Sequence, residues 1–113
     1  GKGAKTFSDL LIYGSDGEKI QKIIDENPYL NEKIHAALPY CLAEVVWAVR
    51  FEMARNIEDV LARRTRALFL NAQAAIECAP KVAEIMAKEL IRNEEWIDKQ
   101  IREFNFVAQN YLL

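Results

Sequence analysis

The side chains in this sequence that could perform chemistry are few and far apart. His35 is the one histidine, and neither a second histidine nor a cysteine pair accompanies it in a pattern that binds metal. Cys41 and Cys78 lie in apolar stretches and match neither a CxxC motif nor another ligand spacing. We therefore expect a structural histidine, two free thiols packed as small hydrophobic groups, and no catalytic, cofactor or metal site formed by this chain alone.

Two further patterns resemble chemical sites only superficially. The opening residues GKGAKT lack the third glycine of a GxGxxG loop and the GxxxxGK spacing of a phosphate loop. Carboxylates are numerous, but most of them, including Glu44 and Glu52, stand where solvated helix faces and caps would place them. The sequence therefore predicts no independent active site.

The densest cluster of charge is Arg63-Arg64-Thr65-Arg66, which closes a predicted helix. Cations at a helix carboxyl end are favoured by the dipole, and Asp59 with Arg63 has the spacing of an ion pair on one face. Arg64 falls on the apolar face of the same helix. Because the arginines cannot all point the same way, a docking patch is the alternative to a purely structural role.

Residues 43–66 are the stretch around which the rest of the chain is predicted to pack. Two apolar flanks run along its first half, one reaching Met53 and the other Phe51. Arg50 lies between them, so we expect it to be buried against a carboxylate unless it escapes to a surface. The candidate residues for a structural ion pair or for domain docking are then Arg50, Asp59, Arg63, Arg64, Thr65 and Arg66.

Helix caps divide the chain into its elements. Asn56 with Asp59 has the form of a capping box, so a helix should begin at Ile57. Asn71 and Asn93 predict the starts of the last two long helices, and no segment alternates for long enough to predict a strand. The sequence predicts an all-α fold, an irregular helical bundle of about five to six helices with an extended N-terminal segment.

Length and composition indicate a single domain. The 113 residues are 51% hydrophobic and 28% charged, with a formal charge of -2. This balance argues against a protein dedicated to nucleic acid or to an anionic membrane, and no apolar run approaches the ~20 residues of a spanning helix. We expect residues 1–15 to be a linker from a preceding catalytic part and residues 16–113 to form one helical C-terminal domain.

Five stretches carry a resemblance to a known family: YGSDG at 13–17, LPY at 38–40, AEVVWAVRFEMAR at 43–55, EDVLARRTR at 58–66 and WIDKQIREF at 96–104. The third and fourth are long and specific. Through them the chain closely resembles the carboxyl-terminal domain of FAD-dependent glycerol-3-phosphate dehydrogenases and alpha-glycerophosphate oxidases.

The resemblance implies a parent enzyme that oxidises sn-glycerol 3-phosphate to dihydroxyacetone phosphate. Hydride would pass to FAD, and electrons to quinone or, in the oxidases, to oxygen. The family's catalytic residues lie upstream, so the fragment alone should be inactive and bind no flavin. Its implied partners are the amino-terminal FAD and substrate domain of the same chain and, through that parent, a membrane surface and quinone on the cytoplasmic side of the cell membrane.

Within this resemblance, Asp59 and Arg63 would hold the helix, while Arg64, Thr65 and Arg66 would meet the flavoprotein body. The alternative is a free-standing helical interaction or DNA-binding module that uses Arg63, Arg64 and Arg66 beside a helix-turn-helix-like junction. The resemblance implies no nucleic-acid partner.

Overall fold

Helices make up nearly all of the computed structural model, which describes residues 17–112. The α-helices are α1 (Gly17–Glu26), α2 (Leu42–Phe51), α3 (Ala67–Leu70), α4 (Ala72–Leu90) and α5 (Glu94–Ala108), with a π-helix at Asp59–Arg64 and 3-10 helices at Pro28–Asn31 and Gln109–Tyr111. Within residues 17–112 there is no strand, only an isolated bridge between Lys33 and Cys41. The predicted all-α bundle is confirmed, whereas the predicted linker falls outside the described residues.

Helix α2 is the centre of the bundle, as predicted, and packs against both α1 and α4. Every residue from 42 to 49 is buried, and these include Glu44, which we expected on a solvated helix face. The prediction that Glu44 is solvated is therefore wrong. A helix buried on all sides is typical of the middle of a core, where each neighbour covers one face.

The carboxyl end of α2 differs from the sequence prediction. The helix ends at Phe51, and Met53 adopts the left-handed conformation with φ 63°. Phe51, at the end of the helix, and Met53, at this reversal, are both exposed although spacing predicted them inside. Left-handed residues are a common way for helices to end.

The two long helices begin where their asparagines predicted. Asn71 Oδ1 accepts a hydrogen bond from the Ala74 amide, and Asn93 Oδ1 accepts one from the Trp96 amide, both at 3.0 Å. Each bond satisfies an amide that the first turn of a helix leaves without a partner. Helix α4 then continues through Pro80 to Leu90 without a break.

Helix α5 covers α4 with only part of its length. Phe104 and Ala108 are buried, but the chain passes into a 3-10 helix at Gln109. The tighter winding turns later side chains away from the α-helical stripe. Tyr111 and Leu112 are consequently exposed.

Candidate docking surface and the Arg64 ion-pair network

The predicted capping box precedes the basic cluster. Asn56 Oδ1 accepts from the Asp59 amide at 2.8 Å, which confirms the cap, and the chain is helical from Ile57. Asp59 Oδ2 accepts at 2.8 Å from the amide of Arg55 and so reaches one residue further back than a standard capping box. Both bonds join residues close in sequence, which is why spacing alone could predict this turn.

The helix widens into a π-helix from Asp59 to Arg64 and closes with a bond from the Thr65 amide to the Val60 carbonyl at 2.9 Å. The wider turn rotates successive side chains differently from an α-helix. Arg63, Arg64 and Arg66 therefore do not form one basic surface. π-helical turns often occur at functional sites, but the sequence carried no signal for this one.

Arg64 lies inside the fold and joins the π-helix to α2. Its Nε donates to Glu44 Oε1 at 3.2 Å and its Nη1 to Glu52 Oε2 at 2.9 Å. The Arg64 side chain is 13% exposed and that of Glu44 4%. The prediction that Arg64 faces the packed side is confirmed. Sequence reasoning missed Glu44 as its partner, although a carboxylate on an otherwise apolar helix was the available signal.

Thr65 is also turned into the fold and is 2% exposed. Its Oγ1 donates to the Val60 carbonyl at 2.9 Å and accepts from the Ala67 amide at 3.3 Å. The hydroxyl thus connects the last turn of the π-helix with the first turn of α3. In this structure Thr65 presents almost no surface to a partner.

Asp59 and Arg63 form the predicted ion pair on the surface. Arg63 Nε lies 3.8 Å from Asp59 Oδ1, and the Arg63 side chain is largely exposed. A contact of this length between solvated groups contributes little to stability. The pair therefore orients Arg63 more than it holds the fold.

Arg50 is at the surface, so the prediction of its burial is wrong. Its side chain is 46% exposed, and its Nε and Nη2 donate to the two carboxylate oxygens of Glu89 at 2.7 and 3.3 Å. The hydrogen bond that Arg50 donates to Glu89 raises the pKa of the Arg50 guanidinium. Glu89 belongs to α4 and lies at the edge where that helix meets α2. The spacing of residues within α2 alone could not predict this contact.

Arg66 lies on a surface that we call the Arg66 patch, made of Arg66, Phe69 and Tyr111. The Arg66 guanidinium carbon is 5.5 Å from the centre of the Phe69 ring, which meets Tyr111 edge to face at 5.4 Å. All of these side chains are exposed. No carboxylate within residues 17–112 pairs with Arg66. The patch combines a cation with aromatic surface, two features enriched in protein interfaces.

A depression of about 480 Å³ lies between α2 and the π-helix. Its walls carry both signs of charge, since Glu52 and Asp59 face it together with Arg63 and Arg64. Arg64 is already bonded to Glu52 there, and Arg63 lies 3.8 Å from Asp59. The opposite charges largely compensate each other, so the depression does not present one sign of charge to a ligand.

His35 has a structural environment. The Ala37 amide donates to Nδ1 at 3.0 Å, so the ring proton is on Nε2, which donates to Glu77 Oε1 at 2.7 Å. This bond, followed by one from Gln73, lowers the pKa of the Glu77 carboxyl. Across the described residues no group of three or more His, Cys, Asp or Glu side chains could hold a metal ion. The histidine orients a loop against α4.

Residues 5–97 match the family described as the C-terminal domain of alpha-glycerophosphate oxidase. The chain belongs to this family. The resemblance seen in the sequence is thereby confirmed, and nothing in the structure favours the DNA-binding alternative, because its three arginines are dispersed. No solved structure matches the chain.

The curated relatives that this chain matches are longer proteins. The probable mitochondrial glycerol-3-phosphate dehydrogenase of Dictyostelium discoideum is 35% identical over 100 residues, which cover 88% of this chain and 15% of the relative. The mitochondrial glycerol-3-phosphate dehydrogenase of Rattus norvegicus is 34% identical over 104 residues, covering 88% and 14%. The chain thus spans about 15% of the length of these relatives. None of the helices in residues 17–112 is long and apolar enough to cross a membrane.

Proposed function

We propose that this chain is the helical accessory domain of an enzyme that oxidises sn-glycerol 3-phosphate to dihydroxyacetone phosphate. The observation that carries the proposal is the family match over residues 5–97 together with relatives named glycerol-3-phosphate dehydrogenase. In this proposal residues 1–15 link a preceding catalytic part to one domain at residues 16–113. FAD and substrate are bound by that preceding part.

The residues of the domain do not fit a flavin site of their own. Dinucleotides are held at a turn where a strand passes through a glycine-rich loop into a helix. Residues 17–112 contain no strand, so they contain no turn of this type. FAD bound to the parent enzyme would accept the hydride. The role that we propose for this chain is to support the preceding catalytic part, which binds FAD.

The charged residues that we considered fall into two groups, those paired within the domain and those that face outward and could contact another part of the protein. Arg64 with Glu44 and Arg50 with Glu89 connect helices within the domain, and Asp59 with Arg63 forms a surface pair within the π-helix. The Arg66 patch faces outward, and its guanidinium has no carboxylate among the described residues. We assign to Arg66 the contact with the catalytic body, through a carboxylate beside an apolar side chain on that body.

Substitution of Arg66 in the full parent enzyme tests this assignment. We expect Arg66→Ala to increase hydrogen exchange in the Arg66 patch by roughly fivefold or more, since a central arginine contact contributes at least about 1 kcal/mol. Arg63→Ala is the matched control, because Arg63 is exposed and belongs to the same cluster. Unchanged exchange and unchanged glycerol 3-phosphate oxidation in Arg66→Ala would reject the docking role.

Electron transfer to quinone and peripheral attachment to a membrane belong to the same proposal. Its support is the name of the relatives, both of which are described as mitochondrial. The cytoplasmic location expected from the sequence stays a prediction. Reduction of a soluble quinone analogue by the parent enzyme on addition of glycerol 3-phosphate tests the acceptor, and failure of that reduction with oxygen still consumed would indicate an oxidase.

A further inference from the structure

Two large apolar residues occupy backbone conformations that normally suit glycine. Met53 has φ 63° after α2, and Ile91 has φ 58° after α4. The left-handed region is unfavourable for residues with a Cβ atom, most of all for a β-branched residue such as isoleucine. Both turns end a helix, with the Ala54 amide bonded to the Ala48 carbonyl at 3.0 Å in the first. Glycine would make either turn without this strain.

The side chains at these positions add nothing to the core. Met53 is 69% exposed and Ile91 is 90% exposed. Each position therefore combines a strained backbone with an apolar side chain held in solvent, and burial within the domain offsets neither. Strained residues of this kind are concentrated at functional sites, where the surrounding structure holds them in place.

The two positions lie at the same end of the bundle. Arg50, in the last turn of α2, is 2.7 Å from Glu89, in the last turn of α4, so the carboxyl ends of the two helices are side by side. Phe51, also exposed, stacks on Trp47 at this end with ring centres 4.4 Å apart. We call the set Phe51, Met53 and Ile91 the strained end.

Ile91 lies far from the Arg66 patch. Helix α4 begins next to α3, which carries Phe69, and ends at Leu90, so its 19 residues place Ile91 about 28 Å from the start of α4. Met53 lies nearer to the basic cluster, since it lines the depression together with Arg63 and Arg64. The domain itself extends 41 Å in its longest direction. A partner several times larger than the domain can therefore reach both surfaces at once.

We propose that the strained end docks into an apolar recess on the FAD-binding and substrate-binding body of the parent enzyme, with Met53 and Ile91 as its anchors. The inference rests on the proposed function. The body is the occupant because the relatives are about seven times longer than the matched region, which is 15% of one of them. Two of the charged side chains nearby are already used inside the domain, since Arg50 is paired with Glu89 and Glu52 with Arg64.

The test uses glycine because it removes the side chain and relaxes the backbone together. In the 113-residue chain we expect the double variant Met53→Gly/Ile91→Gly to unfold at the same or a higher denaturant concentration than the original chain. In the full parent enzyme we expect the same variant to lose protection from hydrogen exchange at the carboxyl ends of α2 and α4 by about tenfold or more. Phe106→Ala, which shortens another exposed apolar side chain, is the matched control and should change neither measurement.

Several outcomes would overturn the inference. One is equal protection from hydrogen exchange at the strained end in the parent enzyme with and without the double substitution. Another is protection of the strained end that appears only when vesicles of phosphatidylcholine with phosphatidylglycerol are added. If the Arg66 patch is protected in the parent while the strained end is not, the proposed function stands and this inference fails. If neither surface is protected in the parent relative to the 113-residue chain, both fail.

Discussion

The Nε atom of Arg64 lies 3.2 Å from Oε1 of Glu44, which joins two side chains twenty residues apart in the sequence. The contact ties the π-helix to the buried central helix α2. Because both groups are almost fully enclosed, their charges are weakly screened and depend on one another. The motif EDVLARRTR thus places one of its arginines inside the domain.

Removing Arg64 should therefore destabilise the domain strongly. Arg64→Ala leaves the enclosed Glu44 carboxylate without its guanidinium, and breaking a buried pair in this way costs about 3–5 kcal/mol. Urea unfolding followed by circular dichroism measures the loss. Arg63→Ala, on an exposed side chain, should change stability by less than about 0.5 kcal/mol. Equal effects of the two substitutions would contradict the inward role of Arg64.

We expect Thr65 to stabilise the domain through the hydrogen bonds of its hydroxyl group and not to contact a partner. Thr65→Val keeps the shape but leaves the Ala67 amide and the Val60 carbonyl without this bond, at a cost of about 1–3 kcal/mol. Thr65→Ser keeps the hydroxyl and should retain more of the stability. Thermal unfolding of both variants compares them, and a valine variant as stable as the original chain would refute the interpretation.

Glu77 should make stability depend on pH in the acid range. The bond from His35 lowers the pKa of its carboxyl below the ordinary value of 4.5. The unfolded chain therefore takes up a proton first as the pH falls, and the contribution present above pH 4.5 is lost as the pH falls through the folded pKa. Urea midpoints of the original chain and of Glu77→Gln should converge over this range. A difference between the two urea midpoints that stays constant with pH would show that it does not depend on ionisation of Glu77.

Cys78 should be unreactive in the folded chain. Burial raises the pKa of its thiol to about 12. At pH 9 roughly one thiol in a thousand is then ionised, and the thiolate is the form that reacts. Iodoacetamide should label Cys78 in urea and not in buffer, and stability should fall as the pH rises above 9, where only the unfolded thiol ionises. Rapid labelling of the folded chain would contradict this.

The sequence by itself determined the features that depend on neighbouring residues. The caps at Asn56, Asn71 and Asn93 were predicted because each bond joins a side chain to an amide three positions later. The all-α class followed from the helical spacing of apolar residues. The family followed from long motifs that need no coordinates.

Only the tertiary structure decided which arginine is buried. Arg50 and Arg64 both fall on apolar faces by spacing, yet Arg50 reaches a carboxylate at the surface and Arg64 one in the interior. The difference arises from α4 and α2, whose positions depend on packing between elements distant in the chain. Met53 was also predicted inside by spacing, but its left-handed backbone conformation, which apolar periodicity does not indicate, places it outside.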